Sequence, residues 1–472
     1  MNNRMEKSPS GDLGVSSPLG AEGLKNRTGE SPSGPACRTG RDLGVTICWL
    51  RRDLRLQDNA ALYHALKSEY PVLVLFIFDK NILDKLNKED DRVTFIYQTL
   101  EDIKVQLQAN GSDLLIKYGN PEEIWPDVLK QYTVKEVYIN NDYEPYARER
   151  DDNMAEFLAS ENIIFKTYKD QVIFEKNEIL KADKTPYTVF TPFYNQWFAK
   201  LNSFYTKAYP TENYLNNLLQ TERFSTPTLQ EMGFEKSSLD FPKISYTDKL
   251  ATYAEKRDYP ALEGTTHVGL HLRFGTLSIR EAAQKAIEEK SYIWLKELAW
   301  REFYMTILWH FPHSASGSFK KQYDKIQWRN NEDEFKAWCR GETGYPIVDA
   351  GMRQLNQTGW MHNRVRMIVG SFLTKHLLID WRWGETYFAE KLLDYEMASN
   401  VGGWQWASGS GNDAAPYFRV FNPELQTKKF DPEFKYIKKW VPEFGTKKYA
   451  QPIVEHKFAR ERVLKVYKEA LS

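Results

Sequence analysis

Between residues 45 and 169 short apolar, β-branched runs alternate with longer stretches whose apolar positions lie three and four apart. The runs fall at 45–50, 72–78, 114–118, 137–139 and 163–168. Runs this short, without polar alternation, predict strands buried on both faces. Between them, 60–68, 92–109, 122–131 and 147–160 carry the spacing of amphipathic helices. Strand–helix alternation predicts a parallel, doubly wound sheet. From 170 to 244 prolines and aromatics follow no steady period, which predicts a long connector. From 245 to 472 the pattern is helical. The chain is therefore expected to hold an α/β domain at 45–169, a linker at 170–244 and an all-helical domain at 245–472.

Residues 1–44 are rich in Ser, Pro, Gly and charge, and Ser8-Pro9-Ser10-Gly11 recurs as Ser31-Pro32-Ser33-Gly34. Such a segment buries too little apolar surface to order itself and is expected to be a disordered tail. It lacks the apolar stretch of a signal peptide and is not acid-poor like a transit peptide.

A length of 472 residues exceeds one core. The balance of 42% hydrophobic and 27% charged residues suits a soluble globular protein. A net charge of zero argues against gross attraction to polyanions and leaves room for a local basic face. Cys37, Cys48 and Cys339 lie far apart and form no metal-spaced pair, which fits a reduced, cytoplasmic setting without a metal. No apolar run approaches the roughly 18 residues of a membrane span. Tryptophan is the outlier: of 14, eleven fall between Trp294 and Trp440. A helical core can absorb any one of them, but the density favours a cofactor or redox role. No GxGxxG is present, so no standard dinucleotide fingerprint is read.

The densest chemistry is Asn400-Val401-Gly402-Gly403-Trp404-Gln405-Trp406, running on into Asp413 to Pro423. Tryptophans two apart cannot share one helical stripe. A glycine pair weakens a helix, so it suggests close approach of the backbone to something flat. Upstream, Glu263-Gly264-Thr265-Thr266-His267 is a turn able to offer hydroxyls and N–H groups to a pyrophosphate, although hydroxyl pairs more often cap helices. Glu297 and Trp300 share one helical face, and Trp360-Met361-His362-Asn363-Arg364-Val365-Arg366-Met367 mixes aromatic, amide and guanidinium groups.

In this order, with Tyr253, Arg257 and Leu272 to Ser278, the motifs resemble the photolyase/cryptochrome family over residues 45–460. Within it they are most similar to class I enzymes acting on cyclobutane pyrimidine dimers. The resemblance implies an antenna-type α/β domain and a helical domain that binds FAD and damaged DNA, single- or double-stranded. It implies a monomeric lyase in which light drives an electron from reduced FAD into a flipped-out dimer. FAD binding would fall to Tyr253, Arg257, Thr265, Thr266, Arg301, Asn363, Arg366, Asp394 and Asn400. Arg366 and Asp394 would flank the flavin ring, although most Arg–Asp pairs are plain salt bridges. Asn400 would face flavin N5, where plant and animal cryptochromes carry Asp or Cys.

Glu297 would hydrogen-bond the lesion, with Trp300 and Trp406 as its aromatic walls. Asn363 and Met367 would contact it too. Members acting on 6-4 photoproducts carry His at both of those positions, and neither an amide nor a thioether exchanges a proton at neutral pH. Trp404, Trp381 and Trp328 match the family's electron-transfer triad, with Trp404 nearest the flavin. Arg364 and Arg419 match phosphate-facing arginines, with Lys428 and Lys429 on the same face. Folate-binding members carry an Asn and a Glu where this chain has Tyr146 and Ala147. The antenna chromophore is therefore unknown: a deazaflavin, a second flavin, another pterin, or none. Rival readings are a cryptochrome photoreceptor, a 6-4 photoproduct enzyme and a plain flavoprotein oxidoreductase.

Overall fold

The computed structural model describes residues 44–472. Of the expected tail, all but Gly44 lies outside the described residues. Five parallel strands form one sheet: β1 Val45–Leu50, β2 Val72–Asp79, β3 Leu114–Gly119, β4 Val134–Asn140 and β5 Ile164–Tyr168. Their order is β3-β2-β1-β4-β5. Ile47 of the central β1 pairs with Leu73 on one side and Val137 on the other. β1 and β2 are buried throughout, which explains their unbroken apolar sequence.

Helices α1 Ala60–Leu66, α2 Asp91–Gln108, α3 Pro121–Gln131 and α4 Pro145–Ser160 cover the two faces. Trp49, Trp125 and Leu158 lie in the core on one face, Leu66, Leu107 and Phe76 in that on the other. Asn59 caps α1 by accepting from Leu62 N–H at 3.0 Å. α3 and α4 begin on proline, ahead of the apolar period that predicts starts at 122 and 147. A proline suits the first turn because that turn's N–H groups have no helical acceptor.

The stretch read as a connector contains α5, Phe190–Lys200, with Phe190, Phe193 and Trp197 buried at helical spacing. Tyr194 and Phe198 on a further face blur that period in the sequence. The chain then returns to the sheet, where Leu219 N–H donates to Val72 O at 2.8 Å.

The helical part includes α6 Ile279–Glu288, α7 Tyr292–His310, α8 Pro346–Thr358, α9 Asn363–Ser371, α10 Trp381–Lys391, α11 Met397–Ser408 and α12 His456–Leu471. α5, α6 and α7 share one core; α8 to α11 share another. Buried ions join the sheet to the helices. Arg52 reaches Asp142 and Glu396, both at 2.9 Å, and Arg280 bridges Asp58 at 2.8 Å and Asp170 at 2.7 Å. Each of these buried charges has a counter-ion, without which its desolvation would be prohibitive. No described helix is long and apolar enough to cross a membrane.

Candidate functional site

A cavity of about 440 Å³ opens between α7, α9, α11 and the turn before α11. α7 supplies Glu297, Trp300 and Arg301; the first turns of α9 supply Asn363, Arg364, Arg366 and Met367. The turn supplies Asp394 and Glu396, and α11 supplies Asn400, Gly403, Trp404 and Trp406. Residues spread over 110 positions of sequence thus face one space.

α11 is a helix in spite of its glycine pair, and packing explains why. A side chain at Gly402 would put its Cβ 2.2 Å from the Tyr304 ring, so glycine lets α11 lie close on α7. A Cβ at Gly403 would meet nothing within 4 Å. It would project into the cavity, where bare backbone separates Trp404 from Trp406. The two indoles point roughly 200° apart around the helix and flank that bare strip. Trp404 packs edge-on against Phe388 at 5.0 Å and Trp338 at 6.0 Å. Trp300 is stacked on Phe190 of α5 at 3.5 Å and 9°.

The cavity's charges are paired. Arg366 donates to Asp394 at 2.8 and 3.1 Å and to Met361 O at 2.8 Å. Arg257 pairs with Glu297 at 2.5 Å through Oε1 alone. Arg301 donates to Glu396 at 2.9 Å and to Gln171 O at 2.6 Å. Burial raises the Glu396 carboxyl, but Arg301 and Arg52 outweigh it and the net shift is downward. Both Asp394 oxygens and both Glu396 oxygens have donors. Among the described residues, Glu297 Oε2 is the one cavity carboxylate oxygen without one. The Asn400 amide NH₂ donates to Glu385 O at 3.1 Å and Glu385 Oε1 at 3.0 Å. A backbone carbonyl only accepts, so the amide nitrogen faces Glu385, and among the described residues Asn400 Oδ1 has no donor. His362 caps α9: its Nδ1 accepts from Arg364 N–H at 3.1 Å, and burial holds the ring down to about 4. It is therefore a neutral acceptor at neutral pH.

Apart from Arg364, the other expected site residues lie off this cavity. Tyr253 sits beside it, its ring 5.4 Å from the Arg257 guanidinium. Thr266 Oγ1 accepts from the Trp294 indole at 3.2 Å, and Thr265 is half-buried next to it. Trp381 is buried in the α8–α11 core behind Trp404, and Gly384 of its helix leaves room for the Trp404 ring. Trp328 is half-buried against the same core, edge-on to Tyr467 at 6.1 Å. Arg419 is exposed and, among the described residues, makes no ion pair; it lies 5.2 Å from the Phe421 ring. Arg364 instead pairs with Asp258 at 2.7 Å and lies over Phe430, whose ring also meets Lys429. Tyr146 donates to Asp79 at 2.6 Å, and Ala147 is buried. Phe190, Glu385 and Glu396 escape sequence reasoning. Phe190 and Glu396 act through partners far away along the chain, Glu396 and Arg52 standing 344 positions apart, and Glu385 acts through Asn400 on the next helix.

Two family descriptions match this chain: "DNA photolyase" over residues 46–213 and "FAD binding domain of DNA photolyase" over 294–446. A deoxyribodipyrimidine photo-lyase of Synechococcus is 36% identical over 468 residues, covering 90% of this chain and 96% of that protein. That of Escherichia coli is 36% identical over 466 residues, covering 90% and 98%. The chain belongs to the photolyase/cryptochrome family. The fold agrees with a class III photolyase from Agrobacterium tumefaciens, with TM-score 0.81, 33% identity, and coverage of 92% of this chain and 99% of that one. A Synechocystis cryptochrome gives TM-score 0.79 at 25% identity, covering 90% and 99%.

The family's cofactor is FAD, and the cavity suits it. The bare backbone at Gly403 is a cradle that any side chain would fill. Arg366, fixed by Asp394, brings a guanidinium to an electron-rich ring system. Asn400 Oδ1 is free to accept from a ring N–H.

Proposed function

We propose that this chain repairs cyclobutane pyrimidine dimers in DNA under light. One observation carries the reading: the cavity joins Glu297, Trp300, Trp406, Asn363 and Met367, and no imidazole is among its described lining residues. Repair of a 6-4 photoproduct needs a proton relay; splitting a cyclobutane ring does not.

Bound FAD would supply the light-driven electron; the rest falls to the chain's side chains. A dimer stacks poorly in the duplex, so drawing it out costs less than drawing out a normal pair. Trp300, backed by Phe190, offers its other face as a rigid stacking wall, and Trp406 is the opposite one. Glu297, held by Arg257 through one oxygen, keeps the second to accept from a pyrimidine N–H. Asn363 offers a neutral amide and Met367 a polarisable contact. Asn400 and the Arg366–Asp394 pair hold the cofactor, with Tyr253, Arg257, Arg301, Thr265 and Thr266 around it. Trp404, Trp381 and Trp328 form the inward electron route. Arg419 meets backbone phosphate. In this reading the chain works as a monomer in the cytoplasm.

The test is illumination of the reduced protein with one oligonucleotide holding a thymine cyclobutane dimer and another holding a 6-4 photoproduct. Regained thymine absorbance on the first alone is expected. No recovery on either, with FAD bound and photoreducible, would overturn the reading in favour of a photoreceptor. Glu297→Ala is expected to weaken repair while FAD is retained.

A further inference from the structure

The Trp300 indole is the inner end of a ladder of rings that leads out of the cavity. Phe190 stacks on it at 3.5 Å, Tyr194 on Phe190 at 5.7 Å, and Phe198 leans on Tyr194 at 5.8 Å. Tyr292 of α7 meets Phe198 edge-on at 6.0 Å. Phe190, Tyr194 and Phe198 are four apart on α5 and so form one stripe along it. Lys296 Nζ lies 5.7 Å and 5.1 Å from the first two ring centroids and has no carboxylate partner among the described residues.

Core packing accounts for the inner rings but not for the outer ones. Phe198 is 43% exposed and Tyr292 47%. α5 carries no acidic side chain. Its start is tied to the loop that bears Arg419: Phe190 N–H donates to Asp413 at 2.9 Å, and Asn412 donates to Thr188 O at 3.1 Å. The stripe therefore begins at a cavity wall, beside the loop that bears Arg419, and ends in solvent.

We propose that this stripe is a stacking track for the unpaired nucleotides on one flank of the flipped lesion. The inference rests on the repair reading above. Flipping a dimer leaves its neighbours partly unstacked, and rings interleaved with a free lysine hold such bases without regard to sequence. Continuity with Trp300 and the lack of acidic side chains on α5 favour nucleic acid over a second copy of the chain.

The test uses the full-length, FAD-loaded protein in the dark. Single-stranded dimer oligonucleotides carry 2-aminopurine at successive positions on each flank. Wild type is expected to alter the probe's fluorescence on one flank only. Phe198→Ala combined with Tyr292→Ala is expected to abolish that change and weaken binding of the long oligonucleotide about tenfold, with a trinucleotide unaffected. Equal signals and affinities in wild type and variant would overturn the proposal. So would a changed sedimentation state with unchanged DNA binding, which marks a contact between copies. Wild type that binds no lesion oligonucleotide would sink the repair reading and this inference with it. If the double variant loses FAD, Phe198→Ser alone, at an exposed position, answers the same question.

Discussion

Gly402 and Gly403 are neighbours on one helix, yet alanine at each should have opposite consequences. Alanine in a helix interior is worth about 0.5–1 kcal/mol over glycine. At Gly403 the new methyl meets no atom within 4 Å, so the chain without cofactor should gain that amount. The same methyl occupies the cavity, where overpacking against a flat ligand costs about 1–3 kcal/mol, or roughly 5- to 150-fold in FAD affinity. At Gly402 the methyl would lie 2.2 Å from the Tyr304 ring, wedging α11 from α7 with or without ligand. A net loss of about 1–2 kcal/mol is expected there. Urea unfolding at a series of FAD concentrations separates the two, because ligand adds RT ln(1 + [L]/Kd) to stability. Gly403→Ala should be the more stable protein as FAD approaches zero and the less stable one once FAD exceeds the wild-type Kd several-fold, the deficit levelling off at saturation. Wild-type FAD affinity in Gly403→Ala, or undiminished stability in Gly402→Ala, would refute the assignment of the cavity and of the α7–α11 contact respectively.

Three further outcomes are expected. Trp328→Phe should slow photoreduction of oxidised FAD yet spare repair by pre-reduced protein; normal photoreduction, followed by flavin absorbance, removes Trp328 from the electron route. Arg419→Ala should lower the slope of log K against log salt for DNA binding by about one, whereas Arg364→Ala should lower it less because Asp258 already neutralises that guanidinium. Burial holds the Lys375 ammonium down to about 7 from an unfolded value of 10.5, so the unfolded chain binds more protons between those pH values. Wild type should therefore gain about 4–5 kcal/mol of stability relative to Lys375→Met as pH rises across that window, and a constant difference would show that Lys375 does not titrate there.

β1 and β2 were legible because strands covered on both faces need apolar residues at every position, and that pattern is local, whereas β5, read as equally buried, is an edge strand exposed or half-buried along its length. α5 was not, since its rings at 194 and 198 serve a second surface and fill in the helical period. The same applies to Gly402 and Gly403, whose local preference opposes a helix that Tyr304 and the surrounding core impose. Motif order brought the cavity residues to notice, but the sequence could not reveal their pairings. Glu396 has the composition of an ordinary surface carboxylate until Arg52, from the sheet, is placed beside it. Arg364 resembles a free phosphate contact until Asp258 is found 2.7 Å away.

Those pairings bear on how the cavity selects its ligands. Four arginines line it, and Glu297, Glu396, Asp258 and Asp394 each hold one of them. The guanidinium groups are thus oriented before anything binds, which spares the ordering cost that free side chains would incur on binding. Their near-balance also denies the site a strong bulk field, in keeping with a chain of zero net charge. Anion binding must then depend on direction rather than on accumulated charge. Among the acids, Asp394 and Glu396 have spent both oxygens on neighbours and cannot serve a ligand without breaking a pair. Breaking the buried Glu396 pair would strand a charge in low dielectric, at a cost of about 3–5 kcal/mol. Glu297 differs, with one oxygen fixed by Arg257 and the other open. A ligand that presents an N–H beside a flat face to Trp300 meets the single acceptor that, among the described residues of the cavity, is both charged and unoccupied.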